Sequence, residues 1–150
     1  MTLDASNITR RLWVGARPPF DRDLPDFDVL VLCAAEIQPE RDRIAFSKAV
    51  VRAPIPDAVL DRHELSSAIL AARRAARALA SGQRVLVTCR AGLNRSALVA
   101  SLALGLVTRI GPAEVSELMR DRRSPEALGN PHFCLLIHRF VGARRETKPA

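Results

Sequence analysis

One stretch of this chain orders its residues as phosphate chemistry requires: Val85-Leu86-Val87-Thr88-Cys89-Arg90-Ala91-Gly92-Leu93-Asn94-Arg95-Ser96. The aliphatic run at its start predicts a buried strand that stops at Cys89. The segment 96–108, whose only polar residues are Ser and Thr, predicts a helix buried nearly all round. Between them lie Arg90, Ala91, Gly92, Leu93 and Asn94, a turn that joins a strand's C-terminal end to a helix's N-terminus. Such a turn aims consecutive backbone N–H groups inward, and the helix dipole adds partial positive charge at the same point. Gly92 lets the chain bend closely there. The N–H groups and Arg95 would stabilise a thiolate at Cys89, and a thiolate at neutral pH is a nucleophile. Arg95 can hold two phosphoryl oxygens with its planar fork, and Ser96 can donate to the sulfur and help it leave. The plainer role for Cys89, a small buried hydrophobe at a strand end, leaves the Arg-Ser pair at this spacing unexplained.

Further strand-like runs at residues 12–14, 29–32 and 49–52 are bounded by Pro, Asp or Gly, and the second and fourth of the four strands read as buried on both faces. A long helix follows the third strand, with Leu65, Ala68, Ile69, Ala72, Ala76 and Leu79 on one face and Gly82 at its end. Asp61-Arg62-His63-Glu64 has the spacing of a capping box at its start. Pro112 opens another helix that carries Val115, Leu118 and Met119, and Asn130-Pro131 opens a last one with Phe133, Leu136, Ile137, Phe140 and Val141. The tail from Arg144 reads as frayed. The expected fold class is α/β: a small, mostly parallel central sheet of four to five strands flanked by helices, in a single domain over residues 1–150.

A chain of 150 residues with 48% hydrophobic and 26% charged residues is neither collagen-like, nor disordered, nor a disulfide scaffold. No apolar run is long enough to span a membrane. The formal charge of +7 comes almost wholly from 21 Arg against 2 Lys. It suits phosphate-bearing partners but also fits an Arg- and Ala-rich base composition, so a nucleic-acid partner is not favoured. Cys33, Cys89 and Cys134 cannot all pair, which points to a reducing, cytoplasmic setting. Arg10-Arg11 could open an export signal, but Gly15 and Pro18-Pro19 cut the apolar stretch short. His63, His132 and His138 lack metal-ligand spacing, Cys134 reads as core, and neither metal nor cofactor is expected.

Cys-x5-Arg-Ser between strand and helix resembles the signature of the cysteine-dependent protein tyrosine phosphatase superfamily, and of its dual-specificity branch above all. Leu12-Trp13-Val14-Gly15 is similar to that branch's first strand and residues 29–36 to its second. The chain has no Tyr to wall a deep pocket, so a shallow one is expected. The resemblance implies that Cys89 attacks phosphorus, that Arg95 and the amides of residues 90–95 hold the phosphoryl oxygens, and that Ser96 assists the leaving thiolate. It also implies an acid about thirty residues upstream. Asp57, in Pro54-Ile55-Pro56-Asp57, lies 32 residues before Cys89, whereas its rival Asp61 has the capping role. The implied substrate is a phosphorylated protein, at phosphotyrosine, phosphoserine or phosphothreonine, and the loop is expected to bind phosphate or sulfate.

One departure matters: Thr88 stands where the family usually has His, which predicts weaker catalysis. Asn94, just before the arginine, resembles RNA 5′-triphosphatases of the superfamily, but the neighbouring positions of their signature do not match. Arg90 in the loop and the basic surface leave a phosphoinositide or RNA 5′-triphosphate phosphatase as the alternative, and Thr88 a catalytically weak phospho-binding module. A rhodanese-like sulfur transferase would have no use for Asp57. Some family members also carry a second cysteine that traps the oxidised nucleophile. Cys33 is the candidate if its strand neighbours the fourth, and otherwise an apolar strand residue.

Overall fold

The computed structural model describes residues 2–9 and 11–146. Its five strands are β1 (Ala5–Thr9), β2 (Leu12–Gly15), β3 (Val29–Ala34), β4 (Ala49–Ile55) and β5 (Val85–Thr88), arranged β1-β2-β5-β3-β4. β1 is antiparallel to β2, and the other pairs are parallel. The helices are α1 (Arg62–Ala80), α2 (Arg95–Val107), α3 (Pro112–Arg122) and α4 (Pro131–Glu146). The small, mostly parallel sheet with its late helices is the expected α/β fold. Among the described residues, no helix is long and apolar enough to cross a membrane.

Strand periodicity sorts the core into two layers. Val29, Val31 and Cys33 of β3 and Val85 and Val87 of β5 face the helices, whereas Leu30, Leu32 and Leu86 face the other way. There they meet Leu24, Phe27, Ile44 and Phe46 from irregular segments, so the α-helices gather on one face and loops close the other. Both β3 and β5 are buried throughout, as their unbroken aliphatic runs predict. α1 approaches the sheet through a stripe of buried alanines, Ala68, Ala71, Ala72, Ala75, Ala76 and Ala78, with Arg73, Arg74 and Arg77 left in water. α2 is buried from its first residue, Arg95, to Gly105, which makes it the central post between the sheet and the other helices.

Three elements differ from expectation. β1 is absent from the sequence reading because Ala5-Ser6-Asn7-Ile8-Thr9 buries only Ile8, and its pairing with β2 holds it. β4 runs past Pro54 to Ile55 because it lies at the sheet edge, where a missing N–H costs no ladder bond. α4 continues through the expected frayed start at residue 144 to Glu146, and the rest of that tail lies outside the described residues.

The capping box is present: Glu64 N donates to Asp61 Oδ1 at 2.8 Å and Asp61 N donates to Glu64 Oε1 at 2.9 Å. Asp61→Ala is therefore expected to lower the unfolding free energy by about 1 kcal/mol, as read by urea denaturation.

Candidate active site

The turn after β5 is held from outside. Arg17 N donates to Arg90 O at 3.1 Å and Leu128 N donates to Leu93 O at 2.8 Å. The Arg123 guanidinium supplies the two bonds between, Nη2 to Ala91 O at 3.0 Å and Nε to Gly92 O at 3.1 Å. Four successive carbonyls are thus tied outward. In a trans peptide the next residue's N–H points opposite to the carbonyl, so the amides of residues 91–94 turn into the loop. Asn94 O accepts from Leu98 N at 2.9 Å along the helix axis, which turns the Arg95 amide back towards the same point. Among the described residues, none of the amides of residues 90–95 donates a hydrogen bond. Together they form an anion cradle at the positive end of α2.

Gly92 makes the bend possible. Its φ is +74°, and a Cβ there would lie 2.5 Å from the Gly15 carbonyl carbon and 2.7 Å from Arg123 Nη2. Arg123 itself is nearly buried and is balanced by Asp4 Oδ1 at 2.8 Å and Ser6 Oγ at 3.2 Å, at and just before β1.

Cys89 opens the turn, buried at the base of the cradle, with its Sγ 3.1 Å from Ser96 Oγ. Thr88 does not reach into the loop, because its hydroxyl donates to Val31 O at 2.9 Å and ties β5 to β3. Arg95 is buried and meets Glu36 end-on, Nη1 to Oε1 at 2.5 Å and Nη2 to Oε2 at 2.9 Å, with Nη1 also donating to Ile55 O at 3.2 Å. The bidentate pair fixes the guanidinium plane, and among the described residues no acceptor is bound to Nε. The hydrogen bonds from Arg95 pull the Glu36 carboxyl down to about 2, and Glu36 in turn raises Arg95.

Asp57 follows β4 on an exposed loop, and both of its oxygens are engaged. Asn94 Nδ2 donates to Oδ2 at 3.0 Å and Asn130 Nδ2 donates to Oδ1 at 2.9 Å. Asn130 N closes the triangle by donating to Asn94 Oδ1 at 3.1 Å. Asp57 thus stands beside the turn, while Asp61 stays in its cap.

Cys33 follows Leu32, which pairs in register with Thr88, so the neighbouring-strand condition holds and Cys33 lies alongside Cys89 in the helix-facing core. Burial pushes its thiol well up, and the nearby Cys89 adds to this. Cys134 packs against the core and donates to Leu128 O at 3.3 Å; His63 and His138 are exposed.

The structure therefore brings Cys89, residues 90–94, Arg95, Ser96 and Asp57 to one place and sets Cys33 beside it. Glu36, Arg123 and Asn130 are functional neighbours that the spacing of residues did not reveal. A carboxylate just past the end of β3 was the one available signal for Glu36.

No family model matches the chain and no curated protein does. Solved structures do match. The active form of Tk-PTP superposes with a TM-score of 0.75 at 20% identity, over 94% of this chain and 97% of that one. Human DUSP28 gives 0.74 at 17% identity over 97% of each chain. DUSP15 gives 0.72 at 19% identity, over 94% of this chain and 89% of its own. The chain has the fold of the dual-specificity phosphatases.

The lowered Glu36 carboxyl gives a pH signature. Its ionised form is favoured in the folded state, so the ion pair contributes fully above the ordinary value of 4.5 and is lost as pH falls through about 2. The stability gap between the wild type and Glu36→Gln is expected to be constant from pH 7 to 5 and to shrink below that. Urea denaturation at stepped pH measures it, and a gap independent of pH would overturn the assignment.

Proposed function

We propose that this chain is a metal-independent phosphate monoester hydrolase, a protein phosphatase of dual-specificity type that works through a cysteinyl-phosphate intermediate. The observation that carries the reading is the ring of inward amides around Cys89, with four carbonyls tied back and Arg95 fixed at its rim. Such a cradle stabilises the charge on the three equatorial oxygens of a transferring phosphoryl group without a bound cation.

The steps follow from the positions. The phosphate seats on the loop amides and Arg95, and Cys89 Sγ attacks phosphorus from beneath as the ester oxygen departs on the far side. Asp57 gives that oxygen its proton. As a carboxylate it then takes a proton from the water that attacks the thiophosphate, and the sulfur leaves with a hydrogen bond from Ser96 Oγ. The expected substrate is a phosphorylated protein at phosphotyrosine, phosphoserine or phosphothreonine. Inorganic phosphate or sulfate is the simplest ligand of the loop.

Cys33 completes the reading as a redox partner. Peroxide would convert the Cys89 thiolate to a sulfenic acid with release of hydroxide. The Cys33 sulfur would then attack that sulfur, an S–S bond replacing the S–O bond while the oxygen leaves as water with the Cys33 proton. The raised Cys33 thiol makes this second step slow.

Cys89→Ser is expected to abolish turnover of aryl phosphates and phosphopeptides while leaving phosphate or tungstate binding at the loop, read by calorimetry. Substantial residual turnover would overturn the nucleophile. Higher activity of the wild type on phosphoinositides or triphosphorylated RNA than on phosphopeptides would move the substrate class, and binding without turnover on any of them would make the chain a phospho-binding module. Mild peroxide followed by peptide mapping is expected to yield a dithiothreitol-reversible link between Cys33 and Cys89. Over-oxidised Cys89 beside a free Cys33 thiol would remove the redox role.

A further inference from the structure

The segment that carries Asp57 has little to hold it. Between the end of β4 at Ile55 and the cap of α1 at Asp61, Leu60 is buried but Asp57, Ala58 and Val59 are exposed. Among the described residues, the only hydrogen bonds that tie residues 56–60 to the body come from two amide side chains. Asn94 donates to one oxygen of Asp57, and Asn130 donates to the other and, at 3.5 Å, to Ala58 O.

Both asparagines stand where a plainer duty is available. Asn94 is the N-cap residue of α2, yet it makes no side-chain cap; its oxygen accepts from Asn130 N instead. Asn130 does cap, since its Oδ1 accepts from His132 N at 3.0 Å at the start of α4. That duty uses only the oxygen. The Nδ2 group is surplus to it and goes to Asp57. An amide carries its acceptor and its donors on separate atoms, so Asn130 caps with Oδ1 while Nδ2 reaches Asp57; Asp has no donor, and the single oxygen of Ser or Thr cannot stand in both places.

We propose that Asn130, acting with Asn94, is a positioning residue for catalysis: the two amides form a clamp that holds Asp57 over the phosphate loop at the distance proton transfer needs. This rests on the phosphatase reading of Cys89 and Asp57. Asn94 directly precedes Arg95, so the clamp references the acid to the same turn that seats the phosphate, and Asn130 braces both from the α3–α4 connection. General-acid transfer requires hydrogen-bond reach, and a displacement of about 1 Å is enough to cost on the order of 10² in rate.

A clamp on the acid has a signature that a merely structural role lacks. Proton donation matters for a poor leaving group such as phenolate, and hardly at all for a fluorinated or nitro-substituted phenolate that departs without a proton. Asn130→Ser keeps a capping oxygen and loses the Nδ2 group that reaches Asp57. It is expected to slow phenyl phosphate turnover by roughly 10- to 100-fold while leaving a difluorinated methylumbelliferyl phosphate within about twofold of wild type. In an Asp57→Asn background, adding Asn130→Ser should cost nothing further on phenyl phosphate.

Equal losses on the two substrates, or full additivity with Asp57→Asn, would overturn the clamp. Wild-type protein silent on both substrates would overturn the phosphatase reading itself, and the clamp's role with it. Wild-type turnover with an even loss in Asn130→Ser would leave that reading standing and remove the clamp alone.

Discussion

The site depends on one constraint, that a planar trans peptide cannot turn its carbonyl and the following N–H to the same side. Tying back the carbonyls of Arg90, Ala91, Gly92 and Leu93 therefore aims the next four amides inward with no direct contact to them. The donors come from two stretches far from the loop in sequence: the segment after β2, and the short run from the end of α3 to the turn before α4. Arg123 covers the middle of the turn, where Gly92 has the left-handed φ and the backbone has most freedom. Its charge needs a counterion, and Asp4 and Ser6 supply the acceptors. The short polar strand β1 thus has a physical purpose that its own composition conceals.

Topology does the rest. β2, β5, β3 and β4 run parallel and end at one edge, so Gly15, Cys89, Glu36 and Asp57 all lie within a few residues of the same rim. This is the edge at which ligands collect in open parallel sheets. Two carboxylates and one guanidinium divide the work there. Glu36 takes both terminal nitrogens of Arg95 and fixes its plane, while Asp57 is held by neutral amides and is left uncommitted to a cation. Both amides that hold Asp57 come from residues beside the turn, so its place is set relative to the loop and to the start of α4.

What could be read from the sequence was local. The strand–turn–helix around Cys89, the capping box at Asp61 and the helices opened by Pro112 and Asn130-Pro131 each rest on neighbours within one or two turns, where propensity, capping and hydrophobic period act. β1 was not legible, because pairing rather than composition sustains it, and the extension of β4 through Pro54 follows from its place at an edge. The site divides the same way. Cys89, Arg95 and Ser96 announce themselves by spacing. Glu36, Arg123 and Asn130 lie 59, 28 and 35 residues from Arg95 along the chain and enter the site only through strand order and helix packing.

Thr88 brings these threads together. A buried hydroxyl must find a partner, and here it donates to the Val31 carbonyl, cross-linking β5 to β3 at the last paired position before Cys89. The hydroxyl therefore stiffens the strand beneath the cysteine and leaves nothing to order the loop from within. A histidine at this place could turn ring donors towards the loop; threonine cannot. The ordering must then come from outside, and the Arg123 bonds to Ala91 and Gly92, with the amides of Arg17 and Leu128, are the groups that supply it. In this chain Thr88 fastens the strand beneath the cysteine, and the loop itself is fastened from outside.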